Sequence, residues 1–238
     1  MSRREAYLSA LGIEDWRQRR PLAAQPATAP ANAPREAVQP AGRTAEVKGC
    51  GAHTWDSVSG DVAGCVKCPL HQTRTNTVFG VGNRKAEWLV VGEAPGAEED
   101  RQGEPFVGRA GGLLNSMLRG IGLARDQVFI ANVLKCRPPN NRDPKPEEVE
   151  QCLPYLERQI ELLQPKIMLA VGRIAAQNLL ATDTPIGKLR GHVHRFGAAG
   201  IPLVVTYHPA YLLRSPTEKR KAWEDLKFAR WVASGASA

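Results

Sequence analysis

The sequence predicts an α/β protein with a mostly parallel central sheet flanked by helices. Four short apolar runs, at 87–92 (EWLVVG), 127–133 (QVFIANV), 166–172 (KIMLAVG) and 202–207 (PLVVTY), lack the polar alternation of a half-exposed strand. A sheet covered on both faces requires such runs. Helical stretches separate them, and alternating β and α elements imply parallel pairing through crossover helices. The chain has 238 residues, 42% of them hydrophobic, enough for one full-sized core.

Taken in order, residues 1–21 read as a short helix with Tyr7, Leu8, Leu11, Ile13 and Trp16 on its apolar side, ending at Pro21. Nine Ala and four Pro then fill 23–45 without an aromatic residue, a composition that cannot bury enough surface to fold. The expected organisation is an interaction peptide at 1–22, a disordered linker at 23–48, one domain at 49–233 and a disordered tail at 234–238. Within the domain, helices are expected at 111–121 (Leu113, Leu114, Met117 and Leu118 inward), at 146–163 opening on Pro-Glu-Glu, at 173–180 and at 217–232.

No run of eighteen apolar residues occurs, and the charged N-terminus lacks the apolar segment of a signal peptide. A soluble, cytoplasmic protein with no membrane association is expected. The 32 Lys and Arg exceed the 24 Asp and Glu, for a net charge of +8, which favours an acidic partner such as nucleic acid.

Ligands of such sheets bind outside the carboxyl ends of the strands. The residues there are Glu93-Ala94-Pro95-Gly96, then Asn132 with Lys135 and Cys136, then His208-Pro209. The glycine-rich turn GEAPGAEEDRQGEPF (92–106) matches neither G-x4-G-K-[ST] nor G-x-G-x-x-G, and its carboxylates would repel a phosphate. Nucleotide-cofactor binding is thereby set aside. Among five cysteines, Cys65-Val66-Lys67-Cys68 forms a C-x2-C knuckle, Cys136 and Cys152 have 15 residues between them, and Cys50 lies outside the pattern. An odd count argues against a disulfide framework, and the spacing leaves zinc and an iron–sulfur cluster open.

The segments GEAPGAEEDRQGEPFVGRAGGLL (92–114), NVLKCRPPNNRDPKPEE (132–148) and HPAYLLR (208–214), with cysteines at 65, 68, 136 and 152, resemble the family 4 uracil-DNA glycosylases from Cys65 to about Arg230. The resemblance implies the three-layer sandwich of those enzymes and a [4Fe–4S] cluster on Cys65, Cys68, Cys136 and Cys152. It implies a monofunctional hydrolase that flips uracil out of DNA and leaves an abasic site, as a monomer in the bacterial cytoplasm, on the nucleoid during repair. Cleaving the glycosidic bond sends the base off as an anion, so a donor is needed at its oxygen, a role that fits His208. Glu93 matches the position tied to the catalytic water. Ala94 matches a backbone contact, Glu99 lines the uracil pocket, Phe106 is the aromatic platform and Asn141 is the last polar position of the second motif. Asn132 can accept from N3–H of uracil and donate to O4, whereas cytosine presents the reverse pattern. Leu212, Leu213 and Arg214 form a wedge and a phosphate anchor in DNA. Arg109, Lys135, Arg137, Arg142, Lys188 and Arg190 could track the DNA backbone, while Glu98 and Asp100 read as a solvated turn face.

The alternatives are an inactive DNA-binding repair accessory, a glycosylase of broader deaminated-base specificity, and the related group that traps the sugar through a loop histidine. The corresponding loop, PPNNRDPKP, has no histidine, and no lysine stands where Schiff-base chemistry would need one. Residues 2–21 (SRREAYLSALGIEDWRQRRP) resemble the N-terminal peptide of the psi subunit of the bacterial replicase. That resemblance implies docking on the DNA polymerase III clamp loader.

Overall fold

The computed structural model describes residues 53–235. The expected peptide at 1–22, the linker at 23–48, Cys50 and the last three residues lie outside the described residues.

All four predicted strands form: β2 (Trp88–Gly92), β3 (Phe129–Asn132), β4 (Ile167–Val171) and β6 (Ile201–Thr206). They lie parallel in the order β3-β2-β4-β6. Two edge strands escaped the sequence reading. Both β1 (Val81–Gly82) and β5 (Val193–Phe196) pair antiparallel, with β3 and β6 respectively. The first has two residues, and the second, Val-His-Arg-Phe, lies half exposed at the rim, so neither carries the apolar run of a covered strand.

Successive residues of the central strands point to opposite faces, which divides the core in two. On one face Leu89, Val91, Met168 and Ala170 meet α4 (Pro146–Leu163) and α5 (Arg173–Leu180). On the other, Trp88, Val90, Leu169 and Val204 meet α3 (Arg109–Gly120) and α8 (Lys219–Ala233). Burying both sides of each strand is what the unbroken apolar runs demanded.

Shorter elements complete the chain: α1 (Trp55–Ala63), α2 (Ala97–Gln102), α6 (Ile186–Leu189) and α7 (Pro209–Arg214). The acidic run of the glycine-rich turn opens α2, where carboxylates face the positive helix end. One expectation fails here. Asp100 is buried, not solvated: its carboxylate accepts from the Thr75 and Asn76 N–H groups, and the Asn76 amide donates back to its carbonyl at 2.9 Å. These bonds tie residues 75–76 to α2 and offset the cost of burying the Asp100 charge.

Candidate active site

A cavity of about 440 Å³ opens at the carboxyl ends of β2, β3 and β6. All seven predicted catalytic and base-binding residues line it: Glu93, Ala94, Glu99, Phe106, Asn132, Asn141 and His208. The cavity takes in Asn141, whose side-chain Oδ1 accepts from Arg137 Nε at 2.7 Å. Asn140 is not among the lining residues.

Asn132 ends β3 at 1% exposure, and both of its amide atoms, Oδ1 and Nδ2, are buried without a hydrogen-bond partner among the described residues. Such a group is costly unless something supplies both a donor and an acceptor. Gly92 makes its position possible: a Cβ there would lie 2.4 Å from Asn132 Oδ1 and 2.7 Å from the Phe106 ring. Phe106 itself has φ 54°, a strained value for a large side chain. Glu99 holds that turn by accepting from the Val107 and Gly108 N–H groups at 3.1 and 3.2 Å. The Phe106 ring lies 5.7 Å from the His208 ring, tilted by 31°.

His208 caps the N-terminus of α7, its Nδ1 accepting from Ala210 N–H at 3.1 Å. Because Nδ1 accepts, the neutral ring carries its proton on Nε2. Burial, helped by the Arg214 cation and opposed by Glu99, pushes its pKa down to about 4. The ring is therefore neutral near pH 7, a donor through one nitrogen only. Gly172, at φ +105°, brings the end of β4 close beneath it, where a Cβ would come within 3.0 Å of His208 Cβ. Glu93 shifts the opposite way. Burial, with Asp143 adding and Arg173 opposing, pushes its pKa up to about 7, so it titrates where a general base is useful.

A second, smaller cavity is lined by Cys65, Cys68, Cys136 and Cys152 together with Arg74 and Lys135. Arg74 Nη1 donates to Cys136 Sγ at 3.2 Å and to the Cys65 carbonyl at 2.8 Å, and Lys135 N–H donates to Cys152 Sγ at 3.2 Å. Burial pushes the Cys152 thiol up to about 12 and raises Cys68 and Cys136, so deprotonating these sulfurs needs compensating positive charge. Among the described residues no three His, Cys, Asp or Glu close on a single metal ion. A cluster that gives each thiolate its own iron needs its sulfurs around one cavity rather than at one point, and the four cysteines meet that requirement.

The Uracil DNA glycosylase superfamily matches residues 79–227. The chain belongs to that superfamily. It is 49% identical over 178 residues to the type-4 uracil-DNA glycosylase of Archaeoglobus fulgidus, covering 72% of this chain and 89% of that protein. With the type-4 uracil-DNA glycosylase of Thermotoga maritima it shares 44% over 176 residues, 73% and 91% of the two chains. Against the type-5 uracil-DNA glycosylase of Thermus thermophilus the figure is 33% over 151 residues, 55% and 68%.

The structure corrects several expectations for this superfamily member. Leu212 is in the core at 1% exposure and cannot enter DNA from there. Leu213 and Tyr211 are the exposed apolar residues of that helix, and Tyr211 and Arg214 line the cavity. Of the six cations expected along the backbone, Lys135 is fully buried, with Nζ donating to the Asn132 carbonyl at 2.9 Å and to Gln159 Oε1 at 2.6 Å. Arg142 makes two hydrogen bonds to the buried Glu148 carboxylate, and Arg190 pairs with the buried Asp225. Only Arg109, Arg137 and Lys188 keep free surface without an ion pair among the described residues. The inward placement of Glu148 had a legible signal, since a Glu three residues past a helix start bonds back to the start, here to Lys145 N–H at 2.9 Å. Lys135 had none, because a lysine beside cysteines reads as a surface cation.

Proposed function

We propose that this chain removes uracil from DNA by hydrolysing its N-glycosidic bond, leaving an abasic site. The observation that carries the reading is the Asn132 amide, which lines the cavity and has no hydrogen-bond partner among the described residues. A flipped uracil offers N3–H to Oδ1 and O4 to Nδ2, satisfying both buried atoms. The Phe106 ring then supports the base. His208 donates its Nε2–H to O2 as negative charge develops there. Water oxygen bonds to C1′, the C1′–N1 bond breaks with its electron pair leaving on uracil, and Glu93 takes the water proton before passing it to solvent. Glu99 contributes by holding the Phe106 turn, and the Ala94 backbone and Asn141 complete the pocket wall. An inactive accessory would have no use for an unpaired amide, a neutral donor and a carboxylate titrating near 7 in one cavity. Release of uracil from a defined oligonucleotide tests the reading; none at stoichiometric enzyme would overturn it.

The Glu93 role predicts a pH dependence. Because its carboxyl is pushed up to about 7, the ionised base is lost as pH falls. Single-turnover excision should drop about tenfold per unit below pH 7 and level off above it. Glu93→Gln should be slow and flat across the same range. A wild-type rate independent of pH between 5 and 8 would remove Glu93 as the base.

Cys65, Cys68, Cys136 and Cys152 are the residues that would hold a [4Fe–4S] cluster, with Arg74 and Lys135 offsetting thiolate charge. Bound there, the cluster would pin the Cys65–Cys68 knuckle to the loop after β3 and to α4. Anaerobically purified protein should be brown, with iron and sulfide near four each per chain. Cys136→Ser should lower both the iron content and the soluble yield. Stoichiometric zinc without absorbance near 400 nm would refute the assignment.

Leu213, exposed on α7 between the lining residues Tyr211 and Arg214, fills the gap left by the flipped nucleotide and Arg214 holds a phosphate; unstacking a step costs about a few kcal/mol, so a filler is useful. Residues 1–22, which lie outside the described residues, recruit the enzyme to the clamp loader. Trp16 among arginines suits a hot spot. A synthetic 1–22 peptide should bind the clamp-loader complex at tens of micromolar or tighter, with loss on Trp16→Ala. No binding at that concentration would dispose of the docking role.

A further inference from the structure

We propose that Asp225, acting with Arg190, is a positioning residue for His208; this rests on the glycosylase reading above. Asp225 lies on α8, outside the cavity lining, at 3% exposure. Its carboxylate accepts three hydrogen bonds: from Arg190 Nε at 2.7 Å, Arg190 Nη2 at 2.9 Å and Thr206 Oγ1 at 2.8 Å. Thr206 is the last residue of β6, two before His208. Arg190 Nη2 also donates to the Lys221 carbonyl at 2.8 Å, and its guanidinium sits 4.3 Å from the centre of the Tyr207 ring. That ring in turn lies 5.1 Å from Tyr211, which lines the cavity one turn beyond His208. One buried ion pair therefore grips the two residues before His208 directly and Tyr211 through an aromatic contact.

Stability alone is a weak reason for such a pair. Desolvating two charges offsets much of their attraction, and apolar replacements of equal volume are often as stable. Placement of the imidazole is a stronger reason, because a donor to a developing anion loses its effect when displaced by a fraction of an ångström to an ångström. The only hydrogen bond to the His208 ring among the described residues comes from Ala210 N–H, within the same short helix. The helix must itself be anchored, and Asp225 supplies the anchor through Thr206 and through Arg190 on Tyr207.

The experiment compares Asp225→Asn and Thr206→Val, each in the full chain and again in a His208→Ala background. Single-turnover excision should fall about tenfold or more for Asp225→Asn and about threefold for Thr206→Val, with affinity for uracil-containing DNA within about twofold of wild type. In the His208→Ala background neither change should slow excision further, because residues acting through one group are not additive. The His208 ring ¹⁵N shifts should also move in both variants. Asp225→Asn leaves Arg190 buried and unpaired and could fail to fold; Thr206→Val, which removes a single hydrogen bond, then decides. Rates within twofold of wild type in folded variants, or losses that multiply with that of His208→Ala, would overturn the proposal. Failure of the glycosylase reading is distinguishable, since the wild-type chain would then release no uracil.

Discussion

Replacing His208 by alanine should slow single-turnover uracil excision by about a hundredfold or more while leaving DNA affinity nearly unchanged. A hundredfold corresponds to about 2.7 kcal/mol, the low end for losing one preorganised donor to an oxyanion. The geometry makes the donor neutral. Its Nδ1 already accepts from Ala210 N–H, and burial with the Arg214 cation pushes its pKa down to about 4. A neutral Nε2–H gains strength only as the leaving base becomes negative, which is the condition for lowering the barrier rather than the ground state. Protonating the ring would place an N–H against the Ala210 N–H, so excision should not recover as pH falls towards 5. Rapid-quench rates at saturating enzyme, paired with equilibrium binding, separate the two effects. A variant within a few-fold of the wild-type rate would show that uracil leaves without this donor.

The central sheet was legible because covered strands carry unbroken apolar runs, as in WLVVG (88–92), IMLAV (167–171) and LVV (203–205). The site was legible for a related reason: residues at the carboxyl ends of the parallel strands are brought to one edge by topology, so Glu93, Asn132 and His208 could be joined without knowing any distance. Contacts set by the third dimension were not legible. Leu212 and Leu213 are adjacent and chemically alike, and only the packing of α7 on the sheet sends one inward. Asp100 looked like one acid among four until the 75–76 backbone closed over it. Arg190 and Asp225 stand 35 residues apart, too far for any local pattern to pair them.

Substituting Asn132 by aspartate should collapse the discrimination between uracil and cytosine, by about a hundredfold in the ratio of their single-turnover rates. The wild-type amide presents one fixed acceptor and one fixed donor, and both are buried with no hydrogen-bond partner among the described residues. Uracil satisfies them, whereas cytosine sets its amino group against Nδ2 and its N3 lone pair against Oδ1. Two mismatched buried groups at about 1–3 kcal/mol each are enough for strong rejection. A carboxyl at a site 1% exposed has its pKa raised by desolvation. Protonated, it offers one donor and one acceptor in either order and so accommodates both bases. Ionised, it accepts from N3–H of uracil or from the cytosine amino group, and again fails to separate them. Uracil excision should therefore slow while cytosine excision becomes measurable. Matched oligonucleotides bearing a single uracil or cytosine would check this, with Asn132→Ala as a control that loses both contacts. If the aspartate variant kept wild-type selectivity, the base would be read by some other group of the cavity, and Asn132 would be left as a strand end.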